Sequence, residues 1–152
     1  MHSERYTKFT SRLNTKDLIP LDGAIGTELQ KRGVKMDGSW CGSASLHQDI
    51  LKKVHIDYIN AGSKIITTNT YASRRIMLKA ASMEKRFEEI NLKAINSALS
   101  ARKETNKNDV LIAGSISHRY PIADGDILSQ AVVNVSKNEL QDSTYEMLHL
   151  LS

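Results

Sequence analysis

Three stretches of this 152-residue chain end a short apolar run in polar side chains able to hold or activate a small molecule. The first is Leu18–Leu21, which runs into Asp22-Gly23, with Gly26 and Thr27-Glu28 following. The second is Lys64-Ile65-Ile66-Thr67-Thr68, ending in Asn69-Thr70-Tyr71. The third is Val110–Ala113, stopped by Gly114-Ser115, with His118 just beyond. A short apolar run halted by an acid and a glycine reads as a buried strand that carries a carboxylate at its C-terminal end. Taken alone, Asp22 either caps the helix that follows or faces a ligand. Gly23 and Gly26 allow a sharp turn or a close backbone approach that a side chain would obstruct.

The elements between these runs decide where the polar ends go. Tyr6, Phe9 and Leu13 are spaced as one face of a short N-terminal helix. Thr27 to Arg32 predicts a brief helix stopped by Gly33. Residues 34–46 are rich in Gly and Ser and lack a period, so they read as a loop, with Trp40 as its anchor against the core or, less often, a ring that stacks on a ligand. Ile50, Val54 and Tyr58 predict a helix over 47–61. Met83, Phe87, Ile90, Ala94 and Ala98 predict another over 83–103, with Ser82 as its cap. Ser136 and Glu139 make the S-x-x-E box of a last helix carrying Leu140, Met147, Leu148 and Leu151.

Strands alternating with helices predict an α/β fold with a parallel sheet, and non-alternating apolar strands predict burial on both sheet faces. Ligands of such sheets bind at the carboxyl ends of the strands. All three polar ends then fall on one edge, which favours a ligand-facing Asp22 over a mere cap.

Other chemistries find less support. A net charge of +4, with 21 basic and 17 acidic residues mixed along the chain, is a solvated surface and no nucleic-acid footprint. No apolar run approaches the roughly 20 residues of a membrane span. The first residues lack the apolar core of a secretory signal, and a single cysteine, Cys41, forms no internal disulfide. A cytoplasmic protein is the expectation. Gly23-x-x-Gly26-Thr27 lacks the lysine of a phosphate-cradling loop, and the five histidines show no paired ligand spacing. His55 reads as a satisfied helix histidine. Cys41 alone cannot build a zinc site of three protein ligands without partners brought from elsewhere.

The segments LDGAIGTELQKRG (Leu21 to Gly33), VHIDYINAGSKIITTNTYAS (Val54 to Ser73) and VLIAGSIS (Val110 to Ser117) together resemble the homocysteine S-methyltransferase family, in its order and spacing, over residues 17–120. That family includes the betaine- and S-methylmethionine-dependent enzymes and the homocysteine-binding module of cobalamin-dependent methionine synthase. The resemblance implies a TIM-type (β/α)8 barrel with homocysteine at its C-terminal mouth and a zinc held by three cysteines. A thiol is mostly protonated near neutral pH and only the thiolate attacks a methyl group well, so a metal that deprotonates the thiol creates the nucleophile. The resemblance further implies that Asp22 and Gly23 contact the amino-acid substrate and that Thr67 and Tyr71 line the same pocket. After the third strand, Ser117-His118-Arg119-Tyr120-Pro121 departs from the commoner Gly-Pro-Tyr pattern in a loop that faces the site. The methyl donor is therefore left open.

Such a barrel takes about 250 residues. The expectation for residues 1–152 is a single partial domain holding about the first three strands, without the zinc cysteines that the family carries in later ones. By itself such a chain is expected to be inactive in methyl transfer, with an exposed third-strand edge. Self-association or a complementing chain could cover that edge. A non-catalytic amino-acid-binding module is the alternative.

Overall fold

The computed structural model describes residues 4–15, 18–117 and 135–152. His118 and the rest of the loop predicted to face the site lie outside the described residues.

The strand ends meet because the chain around residue 65 is hydrogen-bonded on both sides. β1 (Ile65–Thr67) pairs in parallel with β2 (Leu111–Ala113), in the register Ile65 to Leu111, Ile66 to Ile112 and Thr67 to Ala113. On its other side the segment 20–22 runs parallel to it. The Lys64 amide donates to the Pro20 carbonyl at 2.8 Å and the Asp22 amide to the Ile65 carbonyl at 3.1 Å. This pairing is a single bridge, Leu21 to Ile65, and no continuous strand. Pro20 has no N–H to give to a ladder, and the chain turns away at Gly23.

The first predicted strand is also not buried. Leu18 is 92% and Leu21 59% exposed, whereas Ile66 is fully buried. Ile19, between Leu18 and Leu21, is half-buried, and apolar character alone did not specify which residues of the run would be covered.

Helices supply most of the core. α1 (Glu4–Leu13) has the predicted position, with Glu4 in its first turn and Arg12 in its last, as the helix dipole favours. Only Phe9 of its predicted apolar face is half-buried, since Tyr6 is 45% and Leu13 59% exposed. α2 (Ile25–Lys31) follows the Asp22-Gly23 turn, and α3 (Gln48–Asn60) packs along α5 (Phe87–Glu104). Leu29, Leu51, Val54 and Ala94 form one cluster, and Ile59, Ile66, Ala98, Ala101 and Val110 another beside the sheet.

Ser82 is not the cap of α5. It has φ +55°, its amide donates to the Lys79 carbonyl at 3.0 Å, and Glu84–Arg86 form a separate turn before Phe87. A short helix, α4 (Arg75–Leu78), was not visible as a period because four residues span barely one turn.

α6 (Lys137–Leu151) begins with the predicted capping box. The Glu139 amide donates to Ser136 Oγ at 3.2 Å, and the Ser136 amide to Glu139 Oε2 at 3.0 Å. Met147 is its buried anchor, packed with Leu78, Phe87 and Ile90. Arg75 ties α6 to α4 through a forked pair with Glu146 (2.5–3.0 Å), while its guanidinium lies 4.8 Å from the Phe87 ring centre. No helix among the described residues is long and apolar enough to cross a membrane.

Candidate functional site at the strand ends

Asp22 ends the first segment and is held by the end of β1. The Thr67 amide donates to Asp22 Oδ2 at 2.7 Å and the Thr67 hydroxyl to Oδ1 at 2.9 Å. The carboxylate thus faces the sheet edge and does not cap α2, whose N-terminus has no side-chain cap. Burial raises the Asp22 carboxyl above its ordinary 3.8, and the Thr67 bonds offset this only in part. No cation pairs with Asp22 among the described residues.

The neighbouring strand end is joined through Thr70. Its hydroxyl donates to the Ser115 carbonyl at 2.8 Å and accepts from the Ser115 amide at 3.1 Å. One buried threonine therefore fixes the turn after β1 against the turn after β2.

A second wall comes from the glycine- and serine-rich loop, whose order has no periodic signal. Asp37 gathers the amide and hydroxyl of Ser39 at 2.8 and 2.6 Å, together with the hydroxyl of Ser43. Asn69 then pins the loop to β1, donating from Nδ2 to the Cys41 carbonyl at 2.8 Å and to Ser45 Oγ at 3.0 Å. Asx-type local bonding is the signal that could have marked Asp37 in the sequence. The partner of Asn69, 28 residues away, had none.

These elements enclose an open cavity of about 280 Å³. Asp22, Gly23, Thr67 and Tyr71 all line it, as do Cys41 and Ser115. The four predicted residues are brought together. Gly23 has a different steric reason from the one predicted, because a Cβ there would lie 2.8 Å from Tyr58 Oη. Its missing side chain admits Tyr58. Trp40 is not a core anchor: it is 45% exposed with φ +61°, and Cys41 takes the buried place beside it. His55 is buried in the core, and neither ring nitrogen has a hydrogen-bond partner among the described residues, against the expectation of a satisfied histidine.

The chain's residues do not fit a zinc centre of three cysteines. Cys41 is the sole cysteine, and burial pushes its thiol up to about 11, which keeps it protonated. Among the described residues no three His, Cys, Asp or Glu side chains cluster as a metal site.

The homocysteine S-methyltransferase family model matches residues 19–152. This chain belongs to the homocysteine S-methyltransferase family. Among its curated relatives, S-methylmethionine–homocysteine S-methyltransferase of Pongo abelii is 30% identical over 106 residues, 69% of this chain and 27% of that protein. Homocysteine S-methyltransferase 2 of Saccharomyces cerevisiae is 34% identical over 70 residues, 38% of this chain and 22% of the relative. The matched region thus spans about a quarter of these family members. The fold matches the metallated homocysteine methyltransferase MmuM of Escherichia coli, with a TM-score of 0.70 at 22% identity. That match takes in 93% of this chain and 52% of the enzyme.

Proposed function

We propose that these residues form the amino-acid-binding part of a homocysteine S-methyltransferase, an incomplete barrel in which Asp22, Gly23, Thr67 and Tyr71 hold homocysteine. The observation that carries this reading is the state of Asp22. It is a half-buried carboxylate with no counter-cation among the described residues, fixed by Thr67 at the wall of a cavity of amino-acid size. An α-ammonium group placed there supplies the missing positive charge and adds charge-assisted hydrogen bonds. Tyr71, 41% exposed at the rim, offers a hydroxyl and a ring to the rest of the ligand.

Thiol activation is a separate matter. The family's zinc needs cysteines that this sequence does not hold, so these 152 residues bind the substrate and do not turn it over. The alternative, a half-barrel completed by another copy or by a complementing chain, draws support from Leu18 and Leu21, which are 92% and 59% exposed beside β1.

The test is an amide NMR titration of the chain with homocysteine, paired with a methyl-transfer assay using betaine and S-methylmethionine in added zinc. Shifts at Gly23, Thr67 and Tyr71 that vanish in Asp22→Ala are expected, with no turnover. Turnover by the chain alone, or shifts confined to other residues, overturns the reading.

A further inference from the structure

The opposite end of the sheet carries a second cavity, of about 320 Å³, between α1 and the residues that precede the strands. Its position is fixed by topology. Lys64 comes just before β1 and Asn108-Asp109 just before β2, whereas Asp22, Thr67 and Ser115 follow their strands. The two cavities lie at opposite ends of the same strands.

The wall contributed by α1 is cationic. Arg5, Lys8 and Arg12 recur at the i, i+3 and i+7 spacing of one helix face, and all three line the cavity. Arg5 and Lys8 stand at the exposed rim of the cavity and Arg12 is half-buried, while Phe9 is the apolar residue of the helix that lines it. Arg5 is oriented by its Nε bond to the Asn108 carbonyl at 2.7 Å, which leaves its terminal nitrogens unspent. Lys64 is neutralised by Asp109 at 3.1 Å. Lys8 and Arg12 have no ion-pair partner among the described residues, and Glu4 is the remaining acid of the lining. Among the described residues three cations share the lining with one unpaired acid. A further cation stands close behind them: Arg102 of α5 is lowered in pKa, first by burial and then by the charge of Arg5.

Like charges converging on a concave surface repel unless an anion joins them. Guanidinium groups grip phosphoryl oxygens in pairs, while a lysine adds a point charge. Phe9, Ile19 and Leu111 give the same cavity an apolar floor. That combination suits a small molecule with a phosphoryl group and an apolar portion. We propose that the cavity between α1 and the leading ends of β1 and β2 is an anion site, in which Arg5, Lys8 and Arg12 bind the phosphoryl group of a small soluble ligand. The inference does not depend on homocysteine binding at the other end.

Inorganic pyrophosphate is the probe, titrated calorimetrically into the chain at low ionic strength. Saturable binding of one equivalent is expected, weakened about tenfold or more in Lys8→Ala/Arg12→Ala by the loss of two charge-assisted contacts. The control variant Lys53→Ala/Lys137→Ala removes two exposed charges elsewhere and should bind as the parent does. Far-UV circular dichroism confirms that both variants keep the helices. A parallel arm uses phosphatidylserine vesicles, since an anionic headgroup presents the same chemistry. Absence of pyrophosphate binding, equal weakening in both variants, or binding to vesicles alone would each overturn the proposal.

Discussion

Both oxygens of the Asp22 carboxylate are held by one residue, Thr67, through its amide at 2.7 Å and its hydroxyl at 2.9 Å. The two residues are 45 positions apart, and this clamp is what turns a strand-end acid into a fixed feature of the cavity wall. Thr67→Val keeps the amide bond and the β-branched shape but removes the hydroxyl. It is expected to cost about 1 kcal/mol of stability, read by urea denaturation. It should also move the Asp22 carboxyl further upward, because one of the bonds favouring its charged form is gone. A carboxyl-carbon NMR titration reads that shift, and a downward movement would contradict the clamp.

If Asp22 holds homocysteine as proposed, the same carboxylate gives that binding a pH dependence of defined sign. Its folded pKa is raised above 3.8 by burial, so the fold disfavours the charged form. As pH falls through the raised value, protonation relieves that penalty and Asp22 contributes more stability. Binding of an ammonium group weakens over the same range, because the neutral acid has lost its charge. Calorimetric or NMR titrations from pH 7 downward are expected to show affinity falling before the ordinary carboxylate range is reached. Asp22→Asn should bind weakly at every pH and abolish the trend.

His55 predicts an acid sensitivity of the fold. It is fully buried on α3, with neither nitrogen partnered among the described residues, and burial alone lowers it from 6.5 to about 4. The unfolded chain takes up a proton near 6.5 while the folded chain does not, so stability is full above that pH. It is lost progressively as pH falls toward 4, by up to roughly 3 kcal/mol. Below that value the folded form also protonates and the loss levels off. His55→Leu is expected to remove this slope and to raise stability at pH 5, since a neutral side chain replaces an unsatisfied polar ring. Urea midpoints of both proteins at pH 7.5 and 5 make the comparison. An unchanged slope in His55→Leu would show that another group governs it.

Two glycines near the cavity separate backbone from side-chain limits. A Cβ at Gly42 would run into the carbonyl oxygen of Ala72, which the fold cannot move cheaply. A Cβ at Gly23 would meet the hydroxyl end of Tyr58, a side chain able to swing. Gly42→Ala is therefore expected to cost more than about 2 kcal/mol, and Gly23→Ala about 1 kcal/mol or less. Denaturation of the two variants ranks them, and the reverse order would refute the packing described for the loop.

Local chemistry made part of this molecule readable in advance. The Ser136–Glu139 box forms because both partners lie within one helical turn, whatever surrounds them. Helices α3 and α5 follow from apolar residues recurring at the helical period, since that stripe has one inexpensive way to be buried. The polar ends of the apolar runs likewise met at one edge, because parallel pairing allows little else.

Other features depended on groups far apart in the chain. Ser82 has a capping side chain, but the turn before it places its backbone at φ +55° and leaves no helix there to cap. Leu18 and Leu21 are apolar enough for a core, yet burial requires a partner surface, which composition does not specify. The cations of α1 around one cavity, the buried ring of His55 and the bond from Asn69 across to Cys41 are of the same kind. Sequence determined which groups reach the strand ends, through short-range hydrogen bonding and periodic burial. Only the tertiary structure decided that Thr67 would clamp Asp22 and that Tyr58 would take the space beside Gly23, because both depend on packing between segments more than 30 residues apart.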